Sequence, residues 1–321
     1  MIDRLLKSTE PSIRFKVLVN ILGEDFKTSK IKKLQEEIKF STRVRLLLSE
    51  RDKYSKISCH PYRKWYGAHW VLSMLADLEY PAGDKSLIPL REQVYEWLFS
   101  EEHAKSIIVL DGRVRRCASQ EGNALYYLFA LGLADARTEE LARRLMKWQW
   151  PDGGWNCDRN PEAVNSSFME TLFPLRGLAL FGKITKNSDA ERAARRAAEI
   201  FLKREMYKIK PRKRWRKEDF LKLHYPCYWH YDILFGLKVM VEAGFISDRR
   251  CKDALELLKS KQLSNGGFPA EEKFYRVAKE IISGRSLVDW GGVSKKKSNE
   301  FITADALYVL TRTGRFNYNE D

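Results

Sequence analysis

Helical segments of two kinds alternate along this chain. Apolar residues recur at spacings of three and four in roughly ten segments, and no period-2 run of strand length stands out. Segments of the first kind are apolar on all sides, as buried helices are, and segments of the second kind are apolar on one face only, as peripheral helices are. The alternation predicts an all-α fold with two concentric rings of helices. The first kind covers 66–78, 121–133, 166–181, 230–243 and 301–313, and the second covers 31–49, 86–99, 138–149, 188–205 and 248–260.

A short motif, Q-x-x-x-G with an aromatic residue two positions later, occurs twice. Each copy follows a segment of the amphipathic kind and precedes one of the apolar kind. A glycine permits a tight reversal of the chain, and a glutamine amide can satisfy backbone groups left free at a helix end. We therefore expect a staple between neighbouring helix pairs. Its residues are Gln149, Gly153 and Trp155 in the first copy and Gln262, Gly266 and Phe268 in the second.

The motif resembles the QW motif of the squalene and oxidosqualene cyclases. Together with the helical segment "FITADALYVL", it makes residues 55–315 similar to the prenyltransferase/squalene-oxidase repeat superfamily. The resemblance implies an α/α toroid, whose parallel inner helices gather their amino-terminal ends around a central cavity. We accordingly predict an N-terminal helical extension over 1–50, packed on a toroid domain over 51–321. The same toroid hosts several chemistries, so the resemblance does not determine the function.

The chain carries a large excess of positive charge. It has 58 lysines and arginines against 43 aspartates and glutamates, a net charge of +15. Paired surface charges of the kind found in heat-adapted proteins would explain the number of charges but not the imbalance. An excess of this size attracts polyanions such as nucleic acid, an anionic membrane face or a phosphorylated substrate.

Cysteine usage and hydropathy bear on the compartment. The five cysteines are scattered and form no C-x-x-C pair, which is typical of a reducing environment and argues against a disulfide framework. The start of the chain is amphipathic and charged rather than a signal sequence, and the apolar runs are too short to span a bilayer. We expect a cytoplasmic protein with no membrane span and no obligate protein partner.

Lys64 is the candidate nucleophile whose sequence neighbours say most about its chemistry. It follows Arg63 and precedes Trp65 at the start of an apolar helical segment. A neighbouring cation, aromatic desolvation and the positive end of a helix all favour an uncharged amine, which is a nucleophile for carbonyls. The alternative is a surface lysine beside an aromatic staple. The groups that we expect to assist it in proton transfer are Asp232, Glu121, Asp158 and His230.

Basic residues supply candidate phosphate contacts. They occur in the segments before the inner helices and in an arm over 203–217, where aromatic residues interleave with cations as in proteins that bind nucleic acid. A second basic loop covers 293–298. The alternative is that these are solvated charges or helix caps. The candidates are Arg63, Arg113, Arg115 and Arg116 before the inner helices, and Lys213, Arg214, Trp215 and Arg216 in the arm.

A metal or cofactor is not expected. Protein prenyltransferases hold zinc with Asp, Cys and His, and Cys157, Asp158 and His230 could supply similar ligands here. The order of these residues differs from the family's, however, and no spacing holds them together. The Asp-x-Asp-Asp acid of the triterpene cyclases does not occur in the sequence.

Three functions remain open at this point. Charge and pocket polarity favour a nucleic-acid enzyme, namely a DNA AP lyase, with or without glycosylase action, whose Lys64 forms a Schiff base with a flipped-out abasic sugar. The resemblance favours a terpenoid cyclase or prenyltransferase-like enzyme that acts on a prenyl diphosphate, an anionic phosphorylated substrate. The third is a binding toroid without catalysis. Sugar-active enzymes also use α/α toroids with paired carboxylates.

Overall fold

A computed structural model describes residues 1–208 and 217–316, and most of them lie in helices. Helices that are buried on most sides form an inner layer, and amphipathic helices form an outer layer. The inner helices are α2 (Pro11–Phe15) with its π-helical continuation (Lys16–Ile21), α5 (Ala68–Asp77), α8 (Ser119–Ala130), α10 (Phe168–Thr185), α12 (Ile233–Glu242) and α14 (Glu300–Arg312). The outer helices are α3 (Ser29–Lys39), α6 (Ile88–Leu98), α9 (Ala136–Trp148), α11 (Ser188–Leu202) and α13 (Lys252–Lys259).

Short elements complete the described chain. Three further α-helices are α1 (Ile2–Leu6), α4 (Thr42–Leu48) and α7 (Glu101–Lys105), and single 3-10 turns cover Lys85–Leu87, Lys217–Phe220 and Arg249–Cys251. The strands are β1 (Ile108–Leu110), β2 (Arg113–Arg115), β3 (Arg276–Val277) and β4 (Arg285–Ser286). Within the described residues, every helix is too short or too polar to span a bilayer.

The inner helices form a closed ring. Contacts run from α5 to α8, α10, α12 and α14 in turn, and α14 contacts α2 and its π-helical continuation. The ring closes where Lys16 of that continuation pairs with Asp77 at the end of α5, with Nζ 3.5 Å from Oδ2. Each outer helix packs on the inner helix that precedes it in the chain. The predicted α/α toroid of concentric inner and outer helices is confirmed.

The helix pattern follows from burial. In α12, the eight residues from Ile233 to Met240 are all buried. In α9, by contrast, the buried residues Leu141, Leu145 and Trp148 fall on one stripe at spacings of three and four. The amphipathic outer helices thus bury one face on the inner ring, as their sequence pattern requires.

The first 50 residues contribute one inner helix to the ring. We predicted residues 1–50 to be a helical extension packed on the toroid. In the structure, α2 and its continuation contact α14, and α3 packs on α2 as the other outer helices pack on theirs. The ring therefore includes residues from both predicted parts, and the division at residue 50 stays a prediction.

Four charged side chains occupy the middle of the ring, and three of them are buried while Asp77 is partly buried. The Lys238 ammonium lies 3.0 Å from Asp77 Oδ1 and 2.9 Å from Asp305 Oδ2. The Lys16 ammonium lies 3.2 Å from Asp305 Oδ1 on the other side. Each carboxylate thus sits between two ammonium groups, which is the kind of pairing that buried charges need. We call Lys16, Asp77, Lys238 and Asp305 the central ion-pair cluster.

The two copies of the Q-x-x-x-G-aromatic motif form similar turns. Trp155 and Phe268 are buried. The Trp155 amide donates to Thr171 Oγ1 at 3.2 Å, and the Phe268 amide donates to Thr303 Oγ1 at 2.9 Å. Each threonine is the fourth residue of the inner helix that follows its motif. The motif therefore ties the end of an outer helix to the start of the next inner helix, as a staple would.

The glutamines of the two copies differ in how many carbonyls they bond. Gln149 Nε2 donates to the carbonyl of Gly153 at 2.7 Å and to that of Ala193 on α11 at 2.8 Å. Gln262 Nε2 donates to the Gly266 carbonyl at 2.9 Å. The amides thus satisfy turn and helix carbonyls.

We expect Gln149→Ala to lower the free energy of unfolding by about 2 kcal/mol and Gln262→Ala by about 1 kcal/mol, since each lost bond to a carbonyl costs about 1 kcal/mol. Urea denaturation of the two variants beside the unchanged protein measures both values. Equal losses in the two variants would show that the bond to α11 contributes nothing.

A β-hairpin lies between α7 and α8. We expected no strands, but β1 and β2 pair antiparallel around Asp111 and Gly112. Both turn residues have positive φ, 49° and 69°, as a type I′ turn requires. Part of the signal was present in the sequence, since Asp-Gly is a preferred pair for this turn, but the four residues before it are apolar without alternation. β3 and β4 form a two-residue parallel pair.

Candidate functional site

The segments that precede the inner helices meet at one face of the ring. Ser119 at the start of α8 donates its backbone N–H to Glu170 at the start of α10, at 3.0 Å. The ring of Trp65, just before α5, stacks on that of Tyr228, just before α12, with centroids 4.1 Å apart. These contacts join segments that are far apart in sequence, so the amino-terminal ends of these inner helices share one face, which we call the amino-terminal face.

Lys64 lies in a pocket of this face. Its ammonium is 4.8 Å from the ring centroid of Trp229 and 5.3 Å from that of Trp65. The pocket has a volume of about 370 Å³, which is within the range of small-ligand sites. We call it the Lys64 pocket. Its walls are made by Lys64, Trp65, Trp229, His230, Lys273, Phe274, Tyr275, Arg276, Ser283 and Gly284.

His230 forms the floor of the Lys64 pocket. Its ring is sandwiched between those of Trp229 and Phe274, with centroids 4.0 and 3.6 Å away. Burial lowers the pKa of His230 to about 2, and the neighbouring His224 and Lys64 add to the shift. The imidazole is therefore neutral near pH 7. Its buried Nδ1 has no hydrogen-bond partner among the described residues.

Asp232, a predicted proton-transfer residue, acts as a helix cap. Its Oδ1 accepts the Phe235 amide of α12 at 2.8 Å, and its Oδ2 accepts the His224 amide at 2.9 Å. The His224 ring lies between Asp232 and the pocket floor, with its centroid 6.0 Å from that of His230. Burial opposes ionisation of His224, but the Asp232 carboxylate raises the pKa of His224 above its ordinary value. Asp232 thus reaches the Lys64 pocket only through His224.

Glu121 and Arg116 form a second group, away from Lys64. Glu121 is fully buried and accepts from Arg116 Nε at 3.2 Å and from His103 Nε2 at 2.7 Å. Burial opposes ionisation of Glu121, but Arg116 and His103 hold its pKa below the ordinary value. The predicted acid–base residue and the predicted phosphate ligand are therefore each other's partners.

Of the other arginines before the inner helices, one is buried and two are reached by solvent. Arg115 is buried against the Trp150 ring and donates to the Ala163 carbonyl at 2.6 Å. Arg113 lies at the same tryptophan, 5.7 Å from its centroid. Arg63 is exposed and donates to the Tyr66 hydroxyl at 3.1 Å. Of these three, Arg63 and Arg113 have side chains that solvent reaches.

Asp158 lies in an exposed loop between Trp155 and α10. Its Oδ1 accepts the Asn160 amide at 3.0 Å, which forms a local turn. The predicted phosphate contacts Lys213, Arg214, Trp215 and Arg216 lie outside the residues that the structure describes. The predicted site residues thus fall into separate groups, and of these groups the Lys64 pocket brings Lys64 and His230 together.

Cys157 lies beside Cys117 and Glu170. One ligand atom of each of these three residues lies within 4.8 Å of the other two. Cys157 Sγ donates to Glu170 Oε1 at 3.5 Å. The other group of this kind in the described chain is His224, Cys227 and Asp232. Neither group joins Cys157 with the other two residues of the zinc set considered from the sequence.

Sequence reasoning missed several walls of the Lys64 pocket. Lys273 and Arg276 flank Phe274 and Tyr275 in the stretch that leads into β3. This is the same mixture of cations and aromatics that drew attention to the arm over 203–217. It was overlooked because the stretch is short and lies before no inner helix.

A small charged cavity lies inside the ring. It has a volume of about 30 Å³ and is lined by residues of α5, α10, α12 and α14, among them Asp77, Arg176, Lys238 and Asp305. That volume holds a water molecule or two. The cavity is far too small and too polar for a prenyl chain.

Fold and site together define an α/α toroid protein with a cationic, aromatic-lined pocket at the amino-terminal ends of its inner helices. No protein-family model and no curated protein sequence matches this chain. Among solved structures, the chain is similar to an unsaturated glucuronyl hydrolase variant with dGlcA-Glc-Rha-Glc. The two are 14% identical with a TM-score of 0.45, over 94% of this chain and 84% of that one. The toroid assignment is made on the helices of this chain, and the resemblance to the squalene cyclase repeats stays a prediction.

Proposed function

We propose that the protein binds DNA on its amino-terminal face and that Lys64 forms a Schiff base with the aldehyde of an abasic site. The observation that carries the proposal is the lining of the Lys64 pocket. Three cations, from Lys64, Lys273 and Arg276, share it with aromatic rings, and no carboxylate is among its described lining residues. Such a lining favours a ligand that combines phosphate with a planar or sugar ring.

The pocket divides these tasks among its residues. Lys273 and Arg276 are exposed, so they can approach phosphates at the pocket mouth. Exposed lysines of the 293–298 loop, at 295–297, add charge before α14. The net charge of +15 attracts the polyanion over a longer range.

The chemistry follows from the amine. Lys64 Nζ adds to the C1′ aldehyde, and the carbinolamine loses water to give an imine. A base then removes a proton from C2′, and the 3′ phosphate leaves with the electron pair of its C–O bond. We assign this role to His230, which lines the same pocket as Lys64 and is neutral, and a phosphate bound beside it would raise the pKa of His230 by opposite charge.

The other functions have less support. Glu121 and Asp232 already bond to an arginine, a histidine and backbone amides, so His230 replaces them in our proposal as the base. A terpenoid cyclase needs a large hydrocarbon-lined cavity, and the cavity inside the ring measures about 30 Å³. Binding without catalysis remains an outcome of the experiment.

The experiment is borohydride trapping of duplex DNA that contains one abasic site. We expect a covalent complex with the unchanged protein and none with Lys64→Ala or Lys64→Arg, because neither side chain offers an amine at position 64 to form the imine that borohydride reduces. Lys259→Ala, an exposed position on the outer helix α13, is the matched control and should be trapped normally.

DNA binding is measured beside trapping, by fluorescence anisotropy over a salt series. Lys64→Arg keeps the charge and should bind as the unchanged protein does. Lys273→Ala and Arg276→Ala should each reduce the slope of log K against log salt by about 1. DNA binding without a trapped complex would contradict the Schiff-base chemistry and indicate a protein that only binds DNA. If the protein neither binds the DNA nor forms a trapped complex, the proposal is wrong.

A further inference from the structure

We propose that Cys117, Cys157 and Glu170 bind a zinc ion on the amino-terminal face. This inference is independent of the DNA chemistry proposed for Lys64, since it uses other residues. Two thiolates and a carboxylate are ligands that zinc accepts in proteins. We call these three residues the two-cysteine cluster.

The spacing of the ligand atoms suits a tetrahedral ion. Zinc binds sulfur at about 2.3 Å and carboxylate oxygen at about 2.1 Å, so a tetrahedral site separates the two atoms by roughly 3.6 Å. The observed distance from Cys157 Sγ to Glu170 Oε1 is 3.5 Å. All three ligand atoms lie within 4.8 Å of one another. Cys157 and Glu170 are therefore spaced as a tetrahedral zinc ion would hold them, with Cys117 close by.

The fold holds each ligand from a different element. Cys117 precedes α8, Cys157 follows the turn that contains Trp155, and Glu170 lies in the first turn of α10. The second carboxylate oxygen of Glu170 accepts the Ser119 amide at 3.0 Å. Such an outer bond orients the ligand and leaves the first oxygen for the ion.

Three protein ligands leave one position of a tetrahedral ion open. All three side chains are half-buried rather than sealed in the core, so water can reach the fourth position. Structural zinc sites use four protein ligands, whereas sites that bind water or substrate use three. The two-cysteine cluster has the second pattern.

The second cluster of similar residue types, His224, Cys227 and Asp232, has a structural role. Asp232 accepts two backbone amides, and Cys227 donates to the His224 carbonyl at 3.7 Å. These bonds cap α12 and hold the preceding turn. Cys227 is therefore a matched control for a cysteine near a carboxylate that we do not expect to bind zinc.

The first test is zinc content and cobalt binding under reducing conditions. We expect one zinc per chain by elemental analysis, and one cobalt per chain after exchange, with a thiolate-to-cobalt charge-transfer band. Cys117→Ser and Cys157→Ser should each weaken binding at least about tenfold, since even an outer-shell partner is worth that much. Both should also reduce the charge-transfer band.

Two further variants keep the test decisive. Glu170→Gln should weaken binding but keep the charge-transfer band, because both sulfurs remain. Cys227→Ser should bind like the unchanged protein. Circular dichroism tests whether each variant is folded. If a cysteine variant is unfolded, metal binding by Glu170→Gln decides whether the two-cysteine cluster binds zinc. Substoichiometric metal in the unchanged protein, equal binding in the cluster variants, or a Cys117–Cys157 disulfide under these conditions would overturn the proposal.

Discussion

Replacing Lys238 with methionine should lower the free energy of unfolding by about 3–5 kcal/mol. Lys238 is buried between Asp77 and Asp305, at 3.0 and 2.9 Å. Methionine fills a similar volume but leaves the two carboxylates with Lys16 as their remaining ammonium in the central ion-pair cluster. Breaking a buried pair on one side leaves uncompensated charge in a medium that solvates it poorly. Urea denaturation at pH 7 measures the loss.

The matched control is an exposed ion pair. Lys30 lies 2.7 Å from Glu24, with 61% of its side chain exposed. Lys30→Met should change the free energy of unfolding by no more than about 1 kcal/mol. A further variant, Lys238→Met with Asp305→Asn, removes one charge of each sign and should recover part of the loss. If Lys238→Met costs no more than Lys30→Met, the central ion-pair cluster does not stabilise the ring.

Acidification should destabilise the protein through His69. This histidine on α5 is fully buried, with Nδ1 3.1 Å from the Tyr127 hydroxyl. Burial lowers the pKa of His69 to about 3, whereas an unfolded histidine has a pKa of about 6.5. Below pH 6.5 the unfolded chain therefore binds a proton that the folded chain does not. Stability is then lost as pH falls, by about 2 kcal/mol between pH 7 and pH 5 from this residue.

The contribution of His69 is isolated by substitution. His69→Gln keeps a group that can bond Tyr127 but does not titrate, so its stability should depend less on pH, by that same 2 kcal/mol or so between pH 7 and 5. His60→Gln is the comparison, because His60 is more exposed and burial lowers its pKa less than that of His69, so its substitution should change the pH dependence less. Free energies of unfolding at several pH values give the slopes. Identical slopes for His69→Gln and the unchanged protein would contradict the expectation.

The fold was predictable from sequence because the burial of a helix face sets the spacing of apolar residues along the sequence. The segment 230–243 is apolar all round and became α12, and the segment 138–149 is apolar on one stripe and forms most of α9. The role of residues 11–21 was harder to foresee. Lys16 interrupts an apolar helix, and its partner Asp305 lies 289 positions away. A single sequence gives no sign of that pairing.

The candidate site was predictable in part. Lys64 and His230 were both predicted and lie in one pocket, but Asp232 caps a helix and Arg115 packs on Trp150. The reason is that the residue types that cap helices and bond loops are the same ones that serve in catalysis. Cys117 was missed as a partner of Cys157 because the chain brings them together only through two different inner helices.

Ring closure has a consequence for how the chain folds. Residues 11–21 pack on α14, and these two helices are separated by almost the whole sequence. Contacts of such long separation lose the most chain entropy when they form and slow folding accordingly. The other inner helices can assemble progressively with their neighbours, as an open arc. We therefore expect the seam between the first and last inner helices to join last and, being held by few local contacts, to separate first under denaturing stress.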